Sequence, residues 1–140
     1  MVSLADIQKA LKKIGPTSAH NKAMEAELVK MGYSAEGARV AMESALAQGN
    51  LSQNEYGEIT PPWEITTGGT TVFTGSEKAA LQLFQIYLEW RAAVDFGGEA
   101  IACAYQLQTA TGREPSSWSI PVKVINHKGA TEKFVEKPLA

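Results

Sequence analysis

His20 and His127 are the two histidines of this 140-residue chain, and Cys103 is its one cysteine. With the carboxylate pairs Glu25–Glu27 and Glu55–Glu58, they are the residues from which metal binding or acid–base chemistry would have to be assembled. Neither histidine stands at ligand spacing from a cysteine, a second histidine or an acid, so no metal site is expected. No nucleophile elbow accompanies them. Cys103 lies in Ile101-Ala102-Cys103-Ala104, the setting of a small buried apolar residue, and a lone cysteine excludes an intramolecular disulfide. The carboxylate pairs read as solvated charges. Gly68-Gly69-Thr70-Thr71 lacks the Gly-Lys-Ser/Thr and the helix start that a phosphate cradle requires, and reads as a turn. Neither catalysis nor a cofactor is expected.

The chemistry that remains is that of binding surfaces, and the elements decide where those surfaces fall. Ser3 precedes Leu4, Ile7, Leu11 and Ile14, whose spacing of three and four predicts a helix capped by Ser3 and stopped at Gly15-Pro16. Thr17 and Ser18 are candidate caps for a second helix, with a spine of Met24, Leu28 and Met31 and an end at Gly32. Ser34 caps a third, in which Ala38, Ala41, Met42, Ala45 and Leu46 form the cleanest apolar stripe of the chain. Gly49-Asn50 closes it. Two short extended pieces then flank Asn54 to Gly57, with Gly57 suited to positive φ.

Three short helices followed by a tight hairpin, in "ALKKIGPTS", "KMGYSAEGARVAMESALAQGNL" and "EYGEI", resemble the winged helix-turn-helix superfamily over residues 3–60. The resemblance rests on spacing and punctuation. It implies a DNA-binding regulator, with the third helix in the major groove and the wing beside it. Arg39, Gln53 and Asn54 would then touch DNA. Residue chemistry pulls the other way. The outward face of the third helix carries Glu36, Arg39 and Glu43, and the wing tip carries Glu55 and Glu58 with no base. Lys9, Lys12 and Lys13 lie on the first helix, away from the expected reading surface. Residues 1–60 hold six Lys and Arg against seven Asp and Glu, one net negative charge, where phosphate contacts call for cations.

Across the whole chain the formal charge is −2, with no basic block to mark a nucleic-acid or anionic-membrane patch. Met-Val-Ser-Leu-Ala-Asp is not the start of a signal peptide. Ala79 to Val94 is interrupted by Gln82, Gln85, Glu89 and Arg91 and cannot span a bilayer. A cytoplasmic protein without membrane contact is expected.

Composition changes at Pro61-Pro62: residues 1–60 hold two of the aromatic side chains, Tyr33 and Tyr56, and residues 61–140 hold nine, including all three tryptophans. That is the expected boundary between a winged-helix-like unit, 1–60, and a second α+β unit, 61–140, packed against it. Trp63 to Thr67 and Thr70 to Phe73 predict a hairpin about Gly68-Gly69. Thr74 with Glu77 is a capping-box pattern for a helix to about Val94. Its broad apolar surface (Leu81, Phe84, Tyr87, Leu88 and Trp90 among others) predicts core, with self-association or ligand binding as the functional alternative. Trp90 beside Arg91 is suited to stacking a ligand. Asp95-Phe96-Gly97-Gly98 ends this helix. Residues 99–111 are rich in Ala and Gln, which favours helix, although Ile101, Cys103, Tyr105 and Leu107 alternate as in a strand. Trp118 to Ile125 reads as a strand with Pro121 at an early or edge position. A turn at Asn126 to Gly129 leads into a charged edge strand, 130–137.

The expected fold class is α+β: a three-helix winged-helix-like unit, then two hairpins with one or two helices. The expected function is that of a small non-catalytic interaction or regulatory module, with a protein partner or a second copy of itself. The alternatives are the DNA-binding regulator, on double-stranded DNA, and a small-molecule binder or enzyme with a pocket among Trp63, Tyr87, Trp90 and Tyr105.

Overall fold

A computed structural model of the chain describes residues 2–15, 19–94 and 98–139. It is α+β, with five helices and two small antiparallel sheets among the described residues. The chain divides into two compact units, Met1–Pro62 and Trp63–Ala140.

The first unit begins with helix α1, Leu4–Ile14, whose Ser3 cap accepts a hydrogen bond from the Asp6 N–H at 3.1 Å. Its apolar spacing buries Ile7, Ala10 and Leu11. Of the first unit's helices, α1 separates its faces most sharply, more so than the third, because five Ala and an exposed Val40 blur the stripe of the latter. Gly15 closes α1 in extended backbone, φ −165°, so its role there does not use glycine's left-handed freedom. Helix α2, Asn21–Lys30, has His20 at its N-cap position with no side-chain cap. The capping expected of Thr17 and Ser18, like the stop at Pro16, falls outside the described residues. Helix α3, Ala35–Ala47, is capped by Ser34, which accepts from the Gly37 N–H at 3.0 Å. Met24, Leu28, Met42, Leu51 and Ile59 fill the centre of the unit. Each such side chain contributes roughly 1.5–3 kcal/mol by leaving water.

The two short strands are β1, Ser52–Gln53, and β2, Ile59–Thr60, paired antiparallel with Ser52 opposite Thr60. Asn54 shapes the turn between them: its Oδ1 accepts from the N–H groups of Tyr56 and Glu58, both at 3.0 Å. Gly57 supplies the positive φ of +76°. One long-range bridge fastens this hairpin to the helices. Ala19, between α1 and α2, exchanges two backbone hydrogen bonds with Ile59, at 2.8 and 2.7 Å. Ala19 and Ile59 are both buried, so the bridge also satisfies backbone groups that have no water.

In the second unit β3, Trp63–Thr67, and β4, Thr70–Gly75, turn about Gly68 and Gly69, whose φ values are +55° and +87°. A β-carbon on Gly68 would sit 2.9 Å from the Ser119 Cβ, so the turn needs glycine there for space as well as for backbone. Helix α4, Glu77–Ala93, starts from Ser76, which accepts from the Ala79 N–H. The capping box expected at Thr74 does not form, because Thr74 is still in β4, opposite Glu64. Helix α5, Gly98–Thr111, resolves the ambiguous segment: Ala100, Cys103, Ala104 and Leu107 turn inward at helical spacing, while Ile101 and Tyr105 are exposed. Of the expected breaker, Asp95, Phe96 and Gly97 lie outside the described residues. A 3-10 turn, Pro115–Ser117, leads to β5, Val122–Ile125, and β6, Thr131–Val135. The strand expected from Trp118 therefore begins only after Pro121. The sheet order is β4-β3-β5-β6, which leaves β6 as the solvated edge that its mixed charges predict. Trp63, Ile65, Val122 and Val124 of the sheet pack with Phe84, Tyr87 and Trp90 of α4 and with Leu107 of α5.

Candidate functional site

In the first unit the exposed face of α3 presents Glu36, Arg39, Val40 and Glu43. Arg39 is paired along the helix with Glu36, Nη2 to Oε1 3.7 Å. Val40 is 55% exposed on this face. Beside it runs a cleft of about 710 Å³ bounded by the start of α1, the α2–α3 turn and α3, with Leu4, Val40 and Ala41 among its walls. Tyr33, at this cleft, donates its hydroxyl proton to the Asp6 carboxylate, and that carboxylate holds the phenol above its ordinary pKa. The α2–α3 turn is thereby tied to α1.

Gln53 and Asn54, the residues that would read base edges, are engaged within their own hairpin. The Gln53 Nε2 donates to the Gly57 carbonyl at 3.1 Å. Both ends of the Asn54 amide are used, since its Nδ2 also donates to Glu58 Oε1 at 2.9 Å. Glu58 faces His20 as well, 3.7 Å from its Nε2. The hairpin tip offers Glu55 and Tyr56, the latter 78% exposed.

In the second unit the α4 face expected to self-associate or bind is largely covered by the unit's own sheet and α5. Phe84, Tyr87 and Trp90 are 3%, 2% and 7% exposed, and Leu81 and Leu88 are half-buried against the same core. Of the four aromatics expected around a pocket, Tyr87 and Trp90 do line a cavity of about 550 Å³. Trp63 sits instead in the core beside the His127 ring, 6.5 Å between centroids, while Tyr105, exposed on α5, lines a second groove of about 330 Å³ together with Trp90. Sequence reasoning did not single out Trp118, which lines the same cavity and stacks on Tyr87 at 4.9 Å. Nothing local marks it, since Trp118 reaches Tyr87 only through the packing of the 3-10 turn against α4 and α5.

Glu27 and Cys103 are shifted by their surroundings in the fold. Glu27, buried on α2, receives the Lys13 ammonium at 2.8 Å, and that hydrogen bond holds its carboxyl below the ordinary carboxylate range. Burial raises the Cys103 thiol above its ordinary value, with Glu89 and Glu99 adding to the rise, so the thiolate needed for nucleophilic chemistry is disfavoured. Among the described residues no three His, Cys, Asp or Glu side chains gather to hold a metal ion. No described helix is long and apolar enough to cross a membrane.

In comparisons with known proteins, no family model matches the chain, and neither a curated protein nor a solved structure matches it at a significant level.

Proposed function

We propose that the chain is a small non-catalytic interaction module whose first unit is a winged helix that binds a protein. The Ala19–Ile59 bridge supports the winged-helix part: it ties the segment between α1 and α2 to the hairpin, so three helices and wing form one hydrogen-bonded unit. The exposed face of α3 carries the choice of partner. A phosphate backbone is held by Lys, Arg and free N–H donors. That face offers one cation, Arg39, already paired with Glu36 and followed one turn later by Glu43. Asn54 spends both ends of its amide on the turn, and Gln53 its Nε2. What the face does present is Val40 above an apolar-walled cleft, which suits the apolar side chains of a polypeptide.

Two measurements test this. Mixed-sequence double-stranded DNA titrated at low salt should show no saturable binding. A steeply salt-dependent affinity that is lost in R39A would replace the proposal with the DNA-binding regulator. A photo-crosslinking residue at position 40 should yield a discrete polypeptide adduct in an extract of the source cells, where the same residue at exposed Lys22 on α2 yields none. Equal or absent adducts at both positions would refute the α3 face as the docking surface.

A further inference from the structure

We propose that the outer face of α5 is a self-association surface, on which a second copy of the chain packs its own α5 antiparallel about a two-fold axis. This is independent of the protein-binding role given to the first unit, which uses a different helix. The thirteen residues from Ala100 to Gly112 include no Asp, Glu, Lys or Arg, in a chain that is 20% charged. A helix at a solvated surface ordinarily turns charged side chains outward. The other four helices do so, with exposed Lys9, Lys22, Glu43 and Glu89. Helix α5 instead turns out Ile101 and Tyr105, 71% and 70% exposed and one turn apart. Ala102 and Thr109, both small and both exposed, share the outermost line of the helix with Tyr105, since places three and four apart fall on one face.

The charges that bracket this neutral stretch select the occupant. Glu99 stands in the first turn of α5 and Arg113 just past its end, and both are exposed. At 1.5 Å per residue they are about 20 Å apart. A two-fold axis near Gln106 that sets two α5 helices antiparallel brings Glu99 of each copy to Arg113 of the other. The face is then complementary to itself in charge, as an isologous contact requires. Parallel helices would set Glu99 on Glu99 and Arg113 on Arg113. The antiparallel register also sets Ala102 of each copy against Thr109 and Ala110 of the other, which lets the two helices approach closely. At the axis it places the two Tyr105 rings side by side, an arrangement that aromatic pairs favour when offset. Beside Tyr105 runs the groove of about 330 Å³ between α5 and the 3-10 turn, and Gln108 and Ser116 on it can accept from the hydroxyl of the incoming Tyr105.

The test is sedimentation velocity on the full chain over a concentration series. A small interface of this kind should give a dimer with a Kd of about 10–100 μM. In Y105E two carboxylates meet at the axis, and the chain should stay monomeric throughout the series. I101E, one turn away, gives the same reading if Y105E loses the native circular dichroism. E99R and R113E each set like charges together and should weaken the dimer about fivefold. The double variant E99R/R113E exchanges the two charges and should return the affinity to within about twofold of native. Three outcomes would each overturn the proposal: a native chain that is monomeric at every concentration, undiminished dimerisation of the natively folded Y105E or I101E, or a dimer that the single reversals leave unchanged or the double reversal fails to restore.

Discussion

Lys13 and Glu27 show how a single residue's environment becomes a measurable property of the fold. Glu27 is buried on α2, and a buried carboxylate without a partner would be costly. The Lys13 ammonium at 2.8 Å compensates, and depresses the carboxyl's folded pKa. A carboxyl whose pKa is lowered on folding stabilises the native state above the ordinary carboxylate range. It loses that contribution as the pH falls through the depressed value. E27Q should therefore be less stable than the native chain at neutral pH, and the gap should close in strong acid. Urea midpoints followed through a pH series check this; a gap that stays constant with pH would dissociate the ion pair from the effect. Asn54 teaches a different lesson at the same scale. Its type and position suit base recognition as well as turn formation, and only in the folded hairpin are both ends of its amide seen to be occupied.

At the level of elements, what was legible in the sequence was whatever neighbours decide. Ser3 and Ser34 cap as their spacing predicts, because a cap needs only residues three places apart. Thr74 and Glu77 satisfied the same local rule and still failed, since pairing of Thr74 with Glu64 extends β4 and shifts the helix start to Ser76. For 99–111, Ala and Gln content favours helix while the alternating apolar residues keep strand open, and only the packing of α5 decides between them. The Gly68–Gly69 turn offers a prediction in which space and backbone can be separated. Both residues have positive φ, but a β-carbon meets Ser119 only at Gly68, while Gly69 is open. G69A should cost about 1–2 kcal/mol for the left-handed backbone alone. G68A should cost more by the added clash, roughly 1–3 kcal/mol beyond it. Equal losses in thermal unfolding would mean that the β3–β4 turn yields freely against Ser119.

For the whole molecule, composition changes at Pro61-Pro62 between an Ala-, Leu- and Met-built half and an aromatic one, and the structure divides into Met1–Pro62 and Trp63–Ala140. The features joining distant positions stayed out of reach. Ala19 and Ile59 carry no mark of their bridge, and Arg91 and Trp118 carry none of their shared cavity, because each depends on how whole elements pack. Both the α3 cleft and this cavity depend on such long-range juxtapositions, whereas the elements that build them follow largely from local spacing.

The tryptophans at positions 63, 90 and 118 all belong to the second unit, and the first holds only Tyr33 and Tyr56. Excited at the red edge, where tyrosine no longer absorbs, the chain therefore glows from one half only. With Tyr87 stacked against both Trp90 and Trp118, that half also contains its own energy-transfer donor. Loss of tyrosine-sensitised emission on adding urea should mark the loss of the second unit's packing, and a helical signal, to which α1–α3 and α4–α5 both contribute, that decays in a step of its own would show the two units unfolding separately, without any label being attached.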